Sequence, residues 1–511
     1  MVTTRSRSGG STRQPGGRIR GGGTNGGRIL TPTAALVLVA ALAFKVLLYP
    51  AYRSTDFEVH RNWLAITHSL PLSEWYVDET SEWTLDYPPL FAWFECLLSQ
   101  VARYVDPEML VVSNLNYASE ATVAFQRTTV VVTEGVLLLA AYLFSKRVRP
   151  GAFALLGFLV ALNPGLLVVD HIHFQYNGLL LGVLMLSLEA LQRDRVLLSA
   201  LLFSVLVNMK HLFAVAGPFY FVYMLRRYCV GKFAMLKFLL LGGVVAIVCC
   251  VSFGPFVHTK TIGNLLGRLF PFGRGLCHAY WAPNFWAIYS FADKVLVRAG
   301  QRFGMGVDVG KGHLSGGVVG VSKFGLLPQV APGATLGLVL VAMLPCLIRT
   351  WRRPVPGEIL RGVAYANLCG FVFGYHVHEK AVLHFMIPMA FGALQSEDRA
   401  RAHAHASWPA YVALLPLLHR PQERLLKHLI ILGYCLAIGA AHGGEGGRRG
   451  VYPGLLALVA AYCAFQETAA EAGYESRYAF LPLLLLSVCA GFGLLRLFVG
   501  EFLYYCKLMR L

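Results

Sequence analysis

Charge is scarce in this sequence. Asp, Glu, Lys and Arg make up 14% of its 511 residues and apolar types 56%, whereas soluble domains carry about 25% charged residues. That balance excludes an ordinary soluble enzyme and points to a polytopic membrane protein. Acidic residues are missing altogether from positions 1–28. No C-x-x-C pair occurs among the 11 cysteines, so neither a zinc-ribbon nor a thioredoxin-like redox motif is present. Most of the cysteines (Cys249, Cys250, Cys346, Cys369, Cys463, Cys489) sit inside apolar runs, as packing residues do. A Cys96–Cys277 bridge is possible but is not deducible from sequence. No N-x-[ST] acceptor occurs either, so natural glycans cannot report which side of a membrane a loop faces.

What is abundant is positive charge, +18 net. It gathers in the first 28 residues and in short clusters between apolar runs, not on one face of a domain. That is the pattern of membrane loops, so the lipid bilayer is the expected partner and nucleic acid is not. Residues 1–28, rich in Gly, Arg, Ser and Thr, cannot bury a core and are expected to form a disordered cytosolic tail. The run from Leu30 to Tyr49 is long enough to span, which argues against a cleaved signal peptide.

Apolar runs recur near 125–145, 152–169, 178–191, 196–208, 212–225, 235–257, 332–348, 358–374, 381–395, 407–418, 429–441, 451–466 and 478–499. With the first, they predict an all-α membrane body, 29–511, of about 12–14 transmembrane helices. The stretch 88–105 is also apolar. Were it to span, the cluster Lys146, Arg147 and Arg149 would lie in the lumen, against the positive-inside rule. The reading is therefore a long first luminal loop, 51–124, that contains an interfacial helix. The same alternation puts Arg193–Arg195, Arg226–Lys232, Arg349–Arg353 and Arg448–Arg449 in the cytosol with both termini. It puts 170–177, 208–211, a second large loop 258–331, and 375–380 in the lumen. Lys45 and Arg349, at span boundaries, are expected to snorkel.

Every polar cluster suited to chemistry then falls on the luminal side. Between Arg53 and Asp86 there are seven carboxylates and two arginines, interleaved with Trp63, Trp75, Tyr76 and Trp83, with Tyr87 following. Aromatic rings stack on sugar faces and carboxylates accept from sugar hydroxyls. The same composition also suits a solvated acidic loop with interfacial anchors. Further clusters are Asp170-His171-Ile172-His173-Phe174-Gln175-Tyr176-Asn177-Gly178, Asn208-Met209-Lys210-His211, Phe270-Pro271-Phe272-Gly273-Arg274-Gly275, and His376-Val377-His378-Glu379-Lys380. The i, i+2 pair His171 and His173 beside Asp170 is a weak metal signal, and caps for two helices would use the same residues. Acids in one loop and cations in the others suit a phosphate-bearing lipid beside a neutral sugar. A transporter would show inverted repeats or mid-span charges. No repeat is evident, and Glu134 is the clearest mid-span charge.

Taken together, Thr55-Asp56-Phe57-Glu58 through Asp86-Tyr87-Pro88-Pro89, with the His-Phe-Gln-Tyr-Asn-Gly, Asn-Met-Lys-His, Phe-Pro-Phe-Gly-Arg-Gly and His-Val-His-Glu-Lys runs, resemble the dolichyl-phosphate-glucose-dependent α-1,3-glucosyltransferases of N-glycan precursor assembly. Within that family, Thr80-Ser81-Glu82-Trp83-Thr84-Leu85-Asp86-Tyr87-Pro88-Pro89 is closest to the second enzyme, which extends a monoglucosylated oligosaccharide. The first enzyme tends to carry a Tyr-Trp-Gly-Leu-Asp-Tyr-Pro-Pro form. The Gly/Arg-rich tail and the Gly-rich stretch 304–320 depart from the family without touching a motif.

The resemblance implies a GT-C fold in the endoplasmic-reticulum membrane with a luminal active site. It implies a dolichyl-phosphate-glucose donor and a dolichyl-pyrophosphate-linked oligosaccharide acceptor. A β-linked donor and an α-1,3 product require inversion, hence a carboxylate that deprotonates the attacking hydroxyl. Asp56 is the first candidate base and Asp86 the second, though Asp86 would also serve as a turn residue before Tyr87-Pro88-Pro89. Lys210, His211, Arg274, His378 and Lys380 are the candidates for holding the donor phosphate. Glu58, Arg61, Trp63, Trp83, Tyr87, His173, Gln175 and Asn177 are the candidates for sugar or acceptor contacts. A donor with a single phosphate makes a metal dispensable, and no cofactor is expected.

Overall fold

The computed structural model describes residues 30–149, 151–270, 275–278, 282–304, 324–442, 451–471 and 481–509. Regular structure among them is helical throughout, apart from one isolated bridge between Cys277 and Val377. A chain this apolar must satisfy its backbone groups internally, and helices do so segment by segment. Each of the fourteen apolar runs falls on one helix or on consecutive helical segments, the last of them over its described residues from Leu481 on. Six helices among the described residues are long and apolar enough to cross a membrane: Glu120–Val148, Ala152–Ile172, Ala234–His258, Pro332–Arg352, Pro421–His442 and Leu481–Met509. Shorter apolar helices, Pro32–Leu47, Asn177–Gln192 and Val196–Met209, pack among them. The protein is thus an all-helical polytopic membrane protein. In Ala152–Ile172, 78% of the most apolar window is buried, against 6% in Ala234–His258. The first is a central helix that leads into the polar clusters, and the second lies at the outside, with only Val248, Ser252 and Phe256 buried.

The segment 51–124 is an ordered structure built on two helices. Thr55–Ser69 begins at Ser54, whose hydroxyl accepts from the Asp56 amide at 3.1 Å, with Asp56 and Glu58 in the favourable first turn. Pro89–Val105 begins with Pro89, whose fixed φ suits a helix start. It buries Phe91, Ala92, Glu95, Ser99 and Ala102 and exposes Leu97, Val101 and Tyr104 at 68%, 55% and 77%. An outward apolar stripe is what a membrane interface covers.

One expectation changes. Lys45 does not snorkel: it is 4% exposed, and its Nζ lies 2.5 Å from Glu134 Oε2 within the helical body. The segment 258–331, read from sequence as a second large luminal loop, holds the helices Ile262–Leu269 and Phe285–Arg302, as 51–124 holds its own. Charged residues interrupt the apolar positions of Phe285–Arg302, so it forms no long run. Its start is capped by Asn284, which accepts from the Trp286 and Ala287 amides at 3.0 and 3.3 Å. Cys96 and Cys277 are both free.

Candidate active site

The central helix widens before it ends. Leu167–Ile172 is a π-helical turn, with the His173 amide donating to Val168 at 2.8 Å. Such turns recur at functional sites because the extra residue re-aims the side chains around it. The chain then reverses at Phe174, held at φ +82° and fully buried against Phe57 and His60. A non-glycine residue in that region is strained, and the aromatic packing around it holds it there.

That reversal delivers His173 and Gln175 to Asp56. Oδ2 of Asp56 accepts from Gln175 Nε2 at 2.7 Å and from Lys380 Nζ at 2.6 Å, with His173 Nδ1 at 3.3 Å. Its other oxygen, Oδ1, accepts no hydrogen bond from any described residue. Burial alone would raise the Asp56 carboxyl, but Lys380 and then His173 outweigh it and hold the group well below the ordinary carboxylate range. His173 is fixed in turn by the Ser54 hydroxyl, 2.6 Å from Nδ1.

Behind this contact runs a second line of hydrogen bonds. Buried Asp170 accepts from Asn177 Nδ2 at 2.8 Å and from the Gly178 amide at 2.6 Å. Asn177 Nδ2 also donates to Gln175 Oε1 at 2.9 Å, and Asn177 Oδ1 accepts from Lys210 Nζ at 3.2 Å. Lys210 lies 5.1 Å over the Tyr87 ring, and burial lowers its ammonium to about 8. Asp86 is half-buried beside Tyr87 and close enough to Lys210 to favour its charged form. Burial, then Lys210, lowers His211 to about 4, so the ring is neutral; it packs 5.4 Å from Phe270.

His378 is also neutral, lowered by burial and then by Lys380, and so offers a hydrogen bond rather than a charge. Its Nδ1 is 2.9 Å from Oε2 of Glu379, a carboxyl that burial raises. The His278 ring packs tilted against His378, 3.8 Å between ring centroids. His278, His378 and Glu379 offer ligand atoms all within 4.8 Å of one another. Among the described residues this is the one His, Cys, Asp and Glu group whose spacing would admit a metal ion. The segment holding them is tied down where the His376 amide, at φ +52°, donates to Leu276 at 2.9 Å.

Asp56, His173, Gln175, Asn177, Lys210 and Lys380 therefore form one connected cluster, with Tyr87 beneath Lys210. His171 is not part of it. Its Nε2 lies 2.6 Å from Glu134 in the helical body, so the pairing of His171 with His173 around a metal does not form. Glu58, Arg61 and Trp63 are turned into the framework. Arg61 is fully buried, donating from Nε and Nη2 to Glu58, both at 2.7 Å, and from Nη1 to the Met109 carbonyl at 2.9 Å. Trp63 Nε1 donates to Thr84 at 3.2 Å, and Asn62 holds the Trp83 carbonyl at 3.1 Å, leaving the Trp83 ring partly exposed. Arg274 lies outside the described residues. Sequence reasoning assigned no role to Ser54, which fixes His173, or to His278, which packs on His378.

The family description "ALG6, ALG8 glycosyltransferase family" matches residues 41–501, which takes in every residue of this cluster. The chain belongs to this family. It is a membrane glycosyltransferase, and the Asp56 cluster lies among its matched residues. A protein of Arabidopsis thaliana named dolichyl pyrophosphate Glc1Man9GlcNAc2 alpha-1,3-glucosyltransferase is 50% identical over 396 residues, 77% of this chain and 78% of its own. A Drosophila melanogaster protein with the same name, qualified as probable, is 43% identical over 482 residues, covering 91% and 93% of the two chains. The mouse protein of that name is 43% identical over 422 residues, 78% and 80%.

Proposed function

We propose that this protein transfers glucose from dolichyl-phosphate-glucose to the monoglucosylated, dolichyl-pyrophosphate-linked Glc1Man9GlcNAc2 oligosaccharide, forming an α-1,3 linkage with inversion. The relatives' names support the acceptor, and the cluster around Asp56 supports the chemistry. The fold is a GT-C body of about 12–14 spans, with 51–124 and 258–331 luminal in the endoplasmic reticulum and both termini cytosolic.

The observation that carries the reading is the asymmetry of Asp56. One carboxylate oxygen is held by Gln175 and Lys380, while Oδ1 takes no hydrogen bond from a described residue. A carboxylate so oriented takes the acceptor hydroxyl proton on Oδ1 as the hydroxyl oxygen attacks glucose C1 from the face opposite the phosphate. The C1–O bond to phosphate breaks and its electron pair stays on the phosphate oxygen. The leaving group is dolichyl phosphate, a good one without a general acid, and cations stabilise its charge. Lys210 and Lys380 are the charged candidates, with Arg274, and neutral His211 and His378 would donate hydrogen bonds. Asp86, near Lys210, is the second candidate base. Trp83 and Tyr87 would flank the acceptor sugar.

The test is glucosyl transfer by detergent-purified protein from a short-chain dolichyl-phosphate-glucose to two lipid-linked acceptors, unglucosylated and monoglucosylated, with wild type and Asp56→Asn. Transfer to the monoglucosylated acceptor alone, lost in Asp56→Asn, is expected. Transfer to the unglucosylated acceptor would assign the first glucosylation step instead. Near-normal transfer by Asp56→Asn would move the base to Asp86.

A further inference from the structure

A base whose partner is a lysine poses a problem of charge. Lys380 Nζ is 2.6 Å from Asp56 Oδ2, and the two side chains are only 8% and 20% exposed. An ammonium so close in a poorly hydrated site stabilises the carboxylate and makes it a reluctant proton acceptor. The partners on Oδ2 differ in kind. Gln175 is neutral, and its own Oε1 is held by Asn177 at 2.9 Å, itself anchored on Asp170. Lys380 reaches the same oxygen from the far end of a flexible stem, 324 positions along the chain. Gln175, with His173 Nδ1 at 3.3 Å from the same oxygen, can keep the carboxylate aimed while Lys380 moves.

Glucosyl transfer shifts negative charge in one direction. Before reaction Asp56 and the donor phosphodiester carry one negative charge each. Afterwards Asp56 holds the acceptor proton and is neutral, and the released phosphate monoester carries about two at neutral pH. Total charge is unchanged, but one unit has passed from carboxylate to phosphate. A cation fixed on Asp56 would oppose that passage, and one able to reach both groups would follow it.

We infer that Lys380 is a cation shared between Asp56 and the donor phosphate, resting on the carboxylate in the empty site and passing to the phosphate as the glucosyl bond breaks. The assignment rests on the glucosyl-transfer reading above. Its consequence is competition: Asp56 and the product phosphate draw on one ammonium. As the breaking bond loads charge onto the phosphate, Lys380 leaves the carboxylate that is taking up the acceptor proton.

The test is a double-mutant cycle on binding of short-chain dolichyl phosphate, with uncharged short-chain dolichol as control. Removing the competitor in Asp56→Asn should tighten dolichyl phosphate binding by about 10-fold, and in a Lys380→Met background that gain should fall below about 2-fold. Lys380→Met alone should weaken dolichyl phosphate more than the singly charged donor. Equal tightening by Asp56→Asn in both backgrounds would reduce the effect to general repulsion and overturn sharing. No tightening in either would leave Lys380 a fixed structural counter-ion, also overturning it. Should Lys380→Met fail to fold, Lys380→Gln completes the cycle. Because binding is read without acceptor, these outcomes are independent of which oligosaccharide is glucosylated. Absence of any glucosyl transfer by wild type would instead sink the functional reading itself.

Discussion

Lys45 and Glu134 form an ion pair of 2.5 Å in the helical body, the two side chains being 4% and 2% exposed. The same Glu134 oxygen lies 2.6 Å from His171 Nε2, at the end of the π-helical turn that carries Asp170. The pair therefore braces the turn from behind. Breaking a buried pair leaves one charge uncompensated and costs roughly 3–5 kcal/mol, whereas replacing both partners costs much less. Lys45→Met and Glu134→Gln should each lower the thermal midpoint in detergent, and the double variant should recover most of the loss.

Gly178 packs against that brace. A Cβ there would meet Glu134 Cγ at 2.8 Å and its Cβ at 3.1 Å. Gly178→Ala must therefore displace Glu134 or the amide that donates to Asp170 at 2.6 Å. Activity is expected to fall by about tenfold or more through misplacement of the Asn177–Gln175 line, read as kcat with donor KM little changed.

Arg61 was a candidate for sugar contact, and its geometry argues for a framework role. Lysine cannot reproduce the paired bonds to Glu58 together with those to the 109–111 carbonyls. Arg61→Lys should lose about 2 kcal/mol or more of stability by thermal unfolding, with acceptor KM unchanged in the folded fraction. A raised acceptor KM with unchanged stability would restore the sugar-binding role.

The wild-type acid limb of kcat/KM, where it reports Asp56, should lie below the ordinary carboxylate range. Lys380 and His173 hold the group there, and Lys210, His378 and Tyr87 interact with it electrostatically. Lys380→Met should raise that limb by about 1 pH unit or more, because the largest charge favouring the ionised form is gone. A limb that stays in place would remove Asp56 from the titration.

Stability should decline on mild acidification. His211 titrates near 4 in the fold, whereas an unfolded histidine titrates at about 6.5. The stability this ring contributes is present above the unfolded value and is lost as pH falls from there toward the folded one, because only the unfolded chain gains a proton in that window. The thermal midpoint measured from about pH 7 to about pH 5 should fall, and less steeply in His211→Gln.

Transfer should persist in excess chelator, since a single phosphate needs no metal to bridge it. Loss of activity on chelation, restored by zinc, would assign a role to His278, His378 and Glu379, whose ligand atoms lie within 4.8 Å of one another.

Much of the fold was legible because lipid imposes a coarse code. Apolar stretches become helices, and each of the fourteen runs did so. Phe285–Arg302 escaped because an amphipathic helix at a surface has no run to detect. Within the cluster, Asp56, His173, Gln175, Asn177, Lys210 and Lys380 were all singled out from sequence. Each is polar in a chain that has little polarity to spare.

Residue type and local order thus determined which side chains lie at the ends of helices and which motifs carry the family resemblance. Tertiary structure alone decided how they pair. Local sequence could not foretell that Lys380 would meet Asp56, that His171 would turn to Glu134 while His173 turned to Ser54, or that Arg61 would be buried against its own loop. The reason is physical. Neighbouring histidines at the end of a π-helical turn point to different partners, and residues hundreds of positions apart meet only once the helices have packed.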